Sequence, residues 1–111
     1  MRELGLKGTP AIPQLIRALN DSEGYARSAA ASALGRMGPA AFVAIPPLVE
    51  RVSKDEDGLV VADVAVALGN MGPAAKEALP ALEKAVKDRR VGATGEEAIL
   101  KVQGKHVPTW N

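Results

Sequence analysis

Ala33-Leu34-Gly35-Arg36-Met37-Gly38-Pro39-Ala40-Ala41 returns 34 residues later as Ala67-Leu68-Gly69-Asn70-Met71-Gly72-Pro73-Ala74-Ala75, differing only where Arg36 becomes Asn70. The correspondence extends outward. Ala11-Ile12-Pro13-Gln14-Leu15, Ala44-Ile45-Pro46-Pro47-Leu48 and Ala78-Leu79-Pro80-Ala81-Leu82 align at offsets of 33 and 34, and Asp21, Asp55 and Asp88 follow them at similar spacing. Three blocks in register are an internal repeat, the sequence mark of a stacked architecture.

Each unit reads as two helices. In the first helix Ile12, Leu15, Ile16 and Leu19 form the i, i+3, i+4, i+7 stripe of an amphipathic helix, answered by Ile45, Leu48, Val49, Val52 and by Leu79, Leu82, Val86. A polar turn containing Asp then offers carboxylate or hydroxyl oxygens to cap the second helix. That second helix is alanine-rich, running from about Tyr25 to Met37 and from about Leu59 to Met71. Gly38-Pro39 and Gly72-Pro73 stop and restart the chain, with glycine suited to an αL C-cap and proline to the first turn that follows. Pro46 and Pro80, seven residues on, imply either a kinked helix or a short preceding turn. The third unit is degenerate, with its second helix expected over Glu96 to Gly104 after a start shortened by Thr94 and Gly95.

Composition agrees with this reading. Of 111 residues, 20 are alanine, and Tyr25, Phe42 and Trp110 are the only aromatics, so packing rests on close backbone approach between helices. The absence of cysteine excludes disulfide frameworks, thiolate metal sites and cysteine nucleophiles. A single histidine, His106, cannot build a histidine-rich metal site. A net charge of +1 is no electrostatic footprint for nucleic acid, and no apolar run reaches the length of a membrane span. Met1 to Leu6 lack an apolar segment of the signal-peptide kind, which makes a cytoplasmic location the expectation.

Features that imitate chemistry have structural explanations. The Gly-x-x-Gly pairs at Gly35/Gly38 and Gly69/Gly72 follow helices and lack the lysine and serine of a phosphate-cradling loop, so they read as caps. Lys84, Lys87, Arg89 and Arg90 are interrupted by Asp88 and lack interleaved aromatics, as a solvated face would be. The adjacent carboxylates Glu56/Asp57 and Glu96/Glu97 lie in polar turns with nothing to place them around a pocket. His106 and Trp110 read as a C-terminal cap or tail, with Trp110 covering the last helix pair or anchoring a partner.

At these residues the chain resembles the HEAT-like repeats, in particular the bacterial kind also called PBS-lyase HEAT-like repeats, over nearly all of residues 4–106. The resemblance implies an all-α fold, a right-handed α-solenoid (α-α superhelix) of about three helix pairs, with second helices lining a concave face. The units fall at about 10–38, 39–72 and 73–106, with a partial repeat at 1–9 and a cap or tail at 107–111. It further implies a polar ladder in which a turn Asp and an Arg six residues on bond along the stack. Asp21 and Arg27 match, whereas Val61 and Glu96 stand where the arginine would recur.

Carried over residue by residue, the concave positions are Tyr25, Ser28, Ala29, Ser32 and Arg36, then Leu59, Ala62, Asp63, Val66 and Asn70, with Glu97, Lys101 and Lys105 in the third unit. Residues 25, 28, 29, 32 and 36 share one helical face independently of that resemblance. The expected function is a non-enzymatic protein-binding or scaffold module needing no cofactor or metal and engaging no membrane. The alternatives are an accessory part of a bilin lyase-like enzyme and, less favoured, a DNA-binding module. A stack of about three units also leaves two raw ends, whose apolar faces weak self-association would cover.

Overall fold

Alternation of amphipathic and alanine-rich segments yields six α-helices in a computed structural model, which describes residues 11–105. In chain order they are α1 (Ala11–Ala18), α2 (Gly24–Met37), α3 (Ile45–Lys54), α4 (Gly58–Met71), α5 (Leu79–Lys87) and α6 (Ala93–Val102). Two 3-10 segments, Gly38–Ala44 and Gly72–Ala78, connect α2 to α3 and α4 to α5. The expected partial repeat at 1–9, and His106 and Trp110 in the tail, lie outside the described residues.

The helices form two layers. α2, α4 and α6 lie side by side with α4 in the middle, while α3 and α5 pack together in the other layer, and each odd-numbered helix packs on its successor. The amphipathic stripes supply one side of the core: Leu19, Ile45, Leu48, Val52 and Leu82 are buried. α4 supplies the other, burying Val60, Val61, Val64, Ala65, Ala67, Leu68 and Met71 because it has a neighbour on both sides. The arrangement is an all-α solenoid segment.

The repeated Gly-Pro-Ala-Ala sequence adopts a repeated conformation. Gly38 and Gly72 both have φ of 64°, with ψ of −147° and −146°. The positive φ explains the glycines, but ψ lies far from the αL region, so the expected αL cap is replaced by another positive-φ turn. Pro39 and Pro73 then enter 3-10 segments that bend at Ala41 (φ −95°, ψ 29°) and Ala75 (φ −96°, ψ 25°). Of the two arrangements open to Pro46 and Pro80, the chain takes the short preceding turn. Both prolines are second residues of their α-helices, where the missing N–H has no intrahelical acceptor to lose.

α6 differs from its expected bounds by starting at Ala93, three residues earlier than Glu96. Gly95 lies inside this helix and is buried, and a Cβ there would stand 2.6 Å from Val91 Cγ1 and 2.8 Å from Val86 Cγ2. It is a close-packing residue rather than a helix breaker. Gly58–Lys87 would be long and apolar enough to cross a bilayer as one helix. However, the segment Gly72–Ala78 divides it, and the 14 residues of α4 rise only about 21 Å against a hydrocarbon core of about 30 Å.

Candidate functional site

Two glycines set how the second helices lie against each other. A Cβ on Gly35 would stand 2.8 Å from Ala67 Cα, and one on Gly69 would stand 3.1 Å from Ala98 Cα. The Gly-x-x-Gly pairs are therefore divided in role. Gly38 and Gly72 end helices, while Gly35 and Gly69 admit the backbone of the next one. Close approaches at both ends, Gly24 to Asp57 and Gly35 to Ala67, make α2 and α4 parallel.

These contacts also fix the register of the third unit. Asn70 Nδ2 lies 3.6 Å from the Cβ position of Gly35, and Lys101 Cδ lies 3.5 Å from that of Gly69. Lys101 is thus the spatial successor of Asn70, 31 residues on, although the sequence repeat of 34 sets it beside Ala67. The shorter α6 begins one turn late relative to α4, and the chain between Asp88 and Gly92 takes the place of that missing turn.

The face of α2, α4 and α6 turned from the core carries the expected positions. Tyr25 and Leu59 are 78% and 75% exposed, and Val66, Ala29, Arg36, Asn70, Glu97 and Lys105 are exposed as well. Ser28, Ser32, Ala62, Asp63 and Lys101 are half-buried. Lys105 follows Gly104 beyond the end of α6, so it does not continue the row of Arg36 and Asn70. Between α4 and α6 a depression of about 140 Å³ is lined by Val66, Gly69, Thr94, Glu97, Ala98 and Lys101. Lys101 Nζ lies 3.7 Å from Glu97 Oε2 at its edge. Phe42 and Val43 are also exposed, on the first 3-10 segment.

At the turns between paired helices, Asp55 gathers the polar contacts of the stack. It is only 3% exposed. Its carboxylate accepts from Arg27 Nε at 2.8 Å and Nη2 at 3.1 Å, from Arg51 Nη1 at 3.2 Å and from the Asp57 backbone N–H at 3.0 Å. Burial pushes this carboxyl group up, but the hydrogen bonds from Arg27 and the Asp57 N–H, with the charges of Arg27 and Arg51, outweigh it and hold the pKa below the ordinary carboxylate range.

The ladder differs from its expected form in two respects. Arg27 donates at 2.7 Å to the backbone carbonyl of Asp21, whose carboxylate is engaged locally by the Glu23 N–H at 2.8 Å. Beyond the first unit the ladder continues from an unexpected source. Arg90 donates Nη1 to the carbonyls of Val52 at 2.6 Å and Ser53 at 2.8 Å, and Nη2 to the carbonyl of Asp55. Of the basic cluster read as a solvated face, Lys84, Lys87 and Arg89 are exposed, with Lys84 paired to Asp88 at 2.9 Å, whereas Arg90 departs from that reading by binding the end of α3. An arginine in a polar turn was the available signal, but the 34-residue repeat sets Arg90 beside Glu56, so no earlier arginine marks its place.

Among the described residues no three His, Asp or Glu side chains converge to hold a metal ion. With the stacked pairs and their Asp–Arg ties described, the class is that of a helical repeat protein. A family model for HEAT repeats matches residues 12–100, and the chain belongs to that family. HEAT repeats generally mediate protein–protein interaction and are typically non-enzymatic scaffolds. Neither the curated proteins nor the solved structures contain a match.

Proposed function

We propose that the protein is a non-enzymatic scaffold that captures a protein partner on the outward face of α2, α4 and α6. The observation that carries this reading is the exposure of Tyr25 and Leu59, at equivalent positions of neighbouring parallel helices whose opposite sides are buried. Large exposed apolar side chains set among small and polar ones are the anchors a protein interface uses. Ser28, Ala29 and Ser32 on α2, with Ala62, Asp63 and Val66 on α4, form the surface leading from that pair toward Arg36 and Asn70.

The double substitution Tyr25→Asp and Leu59→Asp tests it. Both side chains are exposed, so circular dichroism and thermal unfolding should change little, while capture of partners from host extract by the immobilised protein should fall by about tenfold or more. Undiminished capture by a folded double variant would remove Tyr25 and Leu59 as the anchors of this face.

A further inference from the structure

The rim of this face formed by the C-terminal turns of α2, α4 and α6 has a chemistry of its own. Arg36, Asn70 and Lys101 occupy successive helices in one row. The Asn70 side chain lies over the notch left by Gly35, and the Lys101 stem lies over the notch left by Gly69. Glycine at both notches thus lays a polar side chain across its neighbour's backbone, and the row is cation, amide, cation. Arg36 is exposed and makes no ion pair among the described residues, and Lys101 has only the 3.7 Å contact to the half-exposed Glu97. Such a pair is worth little in water and exchanges readily for another carboxylate. Asp63, the other acid on the face, lies two helical turns from Asn70 toward the opposite rim.

An apolar seat adjoins the row. Val66, 44% exposed, lies one turn before Asn70 and lines the depression that Lys101 borders. Its volume of about 140 Å³ is enough for one aliphatic side chain and too small for a cofactor. Three separate cations, Lys105 included, with Glu97 beside one of them and no aromatic among the described residues of this rim, do not suit a polyanion with stacked bases.

We infer that this rim binds an acidic segment of a protein partner, whose carboxylates pair with Arg36 and Lys101 while an aliphatic side chain sits against Val66. The inference rests on the scaffold reading above and adds the partner's chemistry.

Fluorescence anisotropy with labelled 15-residue peptides tests it: one with a single leucine flanked by glutamates, its counterpart with every glutamate changed to lysine, and a single-stranded DNA 15-mer. The glutamate peptide should bind in a salt-sensitive way, about tenfold more weakly to Arg36→Glu/Lys101→Glu, and with little change to Arg36→Lys/Lys101→Arg. Equal binding of the lysine peptide, preference for DNA, no binding of the glutamate peptide, or indifference to charge reversal would overturn the inference. Partner capture separates the two readings. Loss with Tyr25→Asp/Leu59→Asp but not with the charge reversal overturns the acidic partner alone, whereas no loss with either overturns the scaffold face as well.

Discussion

Asp55 is where a single residue holds units together. Its carboxylate joins Arg27 of the preceding pair to Arg51 of its own helix, and its carbonyl receives Arg90 of the following pair. Replacing it with alanine leaves two arginines without their anion and the Asp57 N–H without its acceptor. The expected loss is about 2 kcal/mol, below the ~3–5 kcal/mol of fully buried pairs because Arg27 and Arg51 keep 15% and 20% exposure. Urea titration measures it.

The lowered pKa of Asp55 gives this contribution a pH dependence of definite sign. A carboxyl group with a folded-state pKa below its unfolded value of about 4 stabilises fully above that unfolded value, and the contribution fades as pH falls through it toward the folded pKa. The stability gap between the natural protein and Asp55→Asn should therefore be constant from about pH 7 to 5 and narrow below about pH 4. A gap that widens in acid would contradict the assignment.

Between elements, glycine decides how close two helices come, and three of the helical glycines, Gly35, Gly69 and Gly58, should behave differently on conversion to alanine. At Gly35 the new Cβ meets Ala67 Cα at 2.8 Å, a backbone atom that cannot rotate away. The overpacking should outweigh the gain of about 1 kcal/mol in helix propensity and leave a net loss of about 1–2 kcal/mol. At Gly69 the 3.1 Å approach to Ala98 Cα asks for a small shift and should cost less. Gly58, with no neighbour within 4 Å and no positive φ, should gain about 0.5 kcal/mol. Thermal unfolding of the three variants checks the order. The sequence repeat pairs Gly35 with Gly69 but not with Gly58, although all three begin or end similar helices. Only the neighbouring backbone tells Gly35 from Gly69.

Across the described residues each helix pair touches mainly its neighbours, so the units can differ in stability. The third pair is joined to the second by α4–α6 and α3–α5 packing and by Arg90 on the carbonyls of Val52, Ser53 and Asp55. Arg90→Ala should raise amide exchange in α5 and α6 by a larger factor than in α2 and α4. Uniform acceleration over all helices would mean that the stack opens as one unit.

Much of this was legible along the chain. The repeat, the two-helix unit and the amphipathic stripes of α1, α3 and α5 follow from periodicity and residue type, because those features depend on spacing within a helix, whereas the outward positions of Tyr25, Leu59 and Arg36 come from the resemblance to HEAT-like repeats, spacing adding only that Tyr25 and Arg36 share a face. What depends on contact between distant elements was decided only by the tertiary structure. Asp55 gave no sign of being buried, since Asp21 and Asp88 stand at matching places and are exposed. Arg90 fell outside the repeat pattern because the 34-residue offset sets it beside Glu56 and not beside an arginine. Lys101 moved into the row of Arg36 and Asn70 because α6 is a turn short and slides until Gly69 admits Ala98. Local spacing selects the helices, and close packing between them then selects which side chains meet.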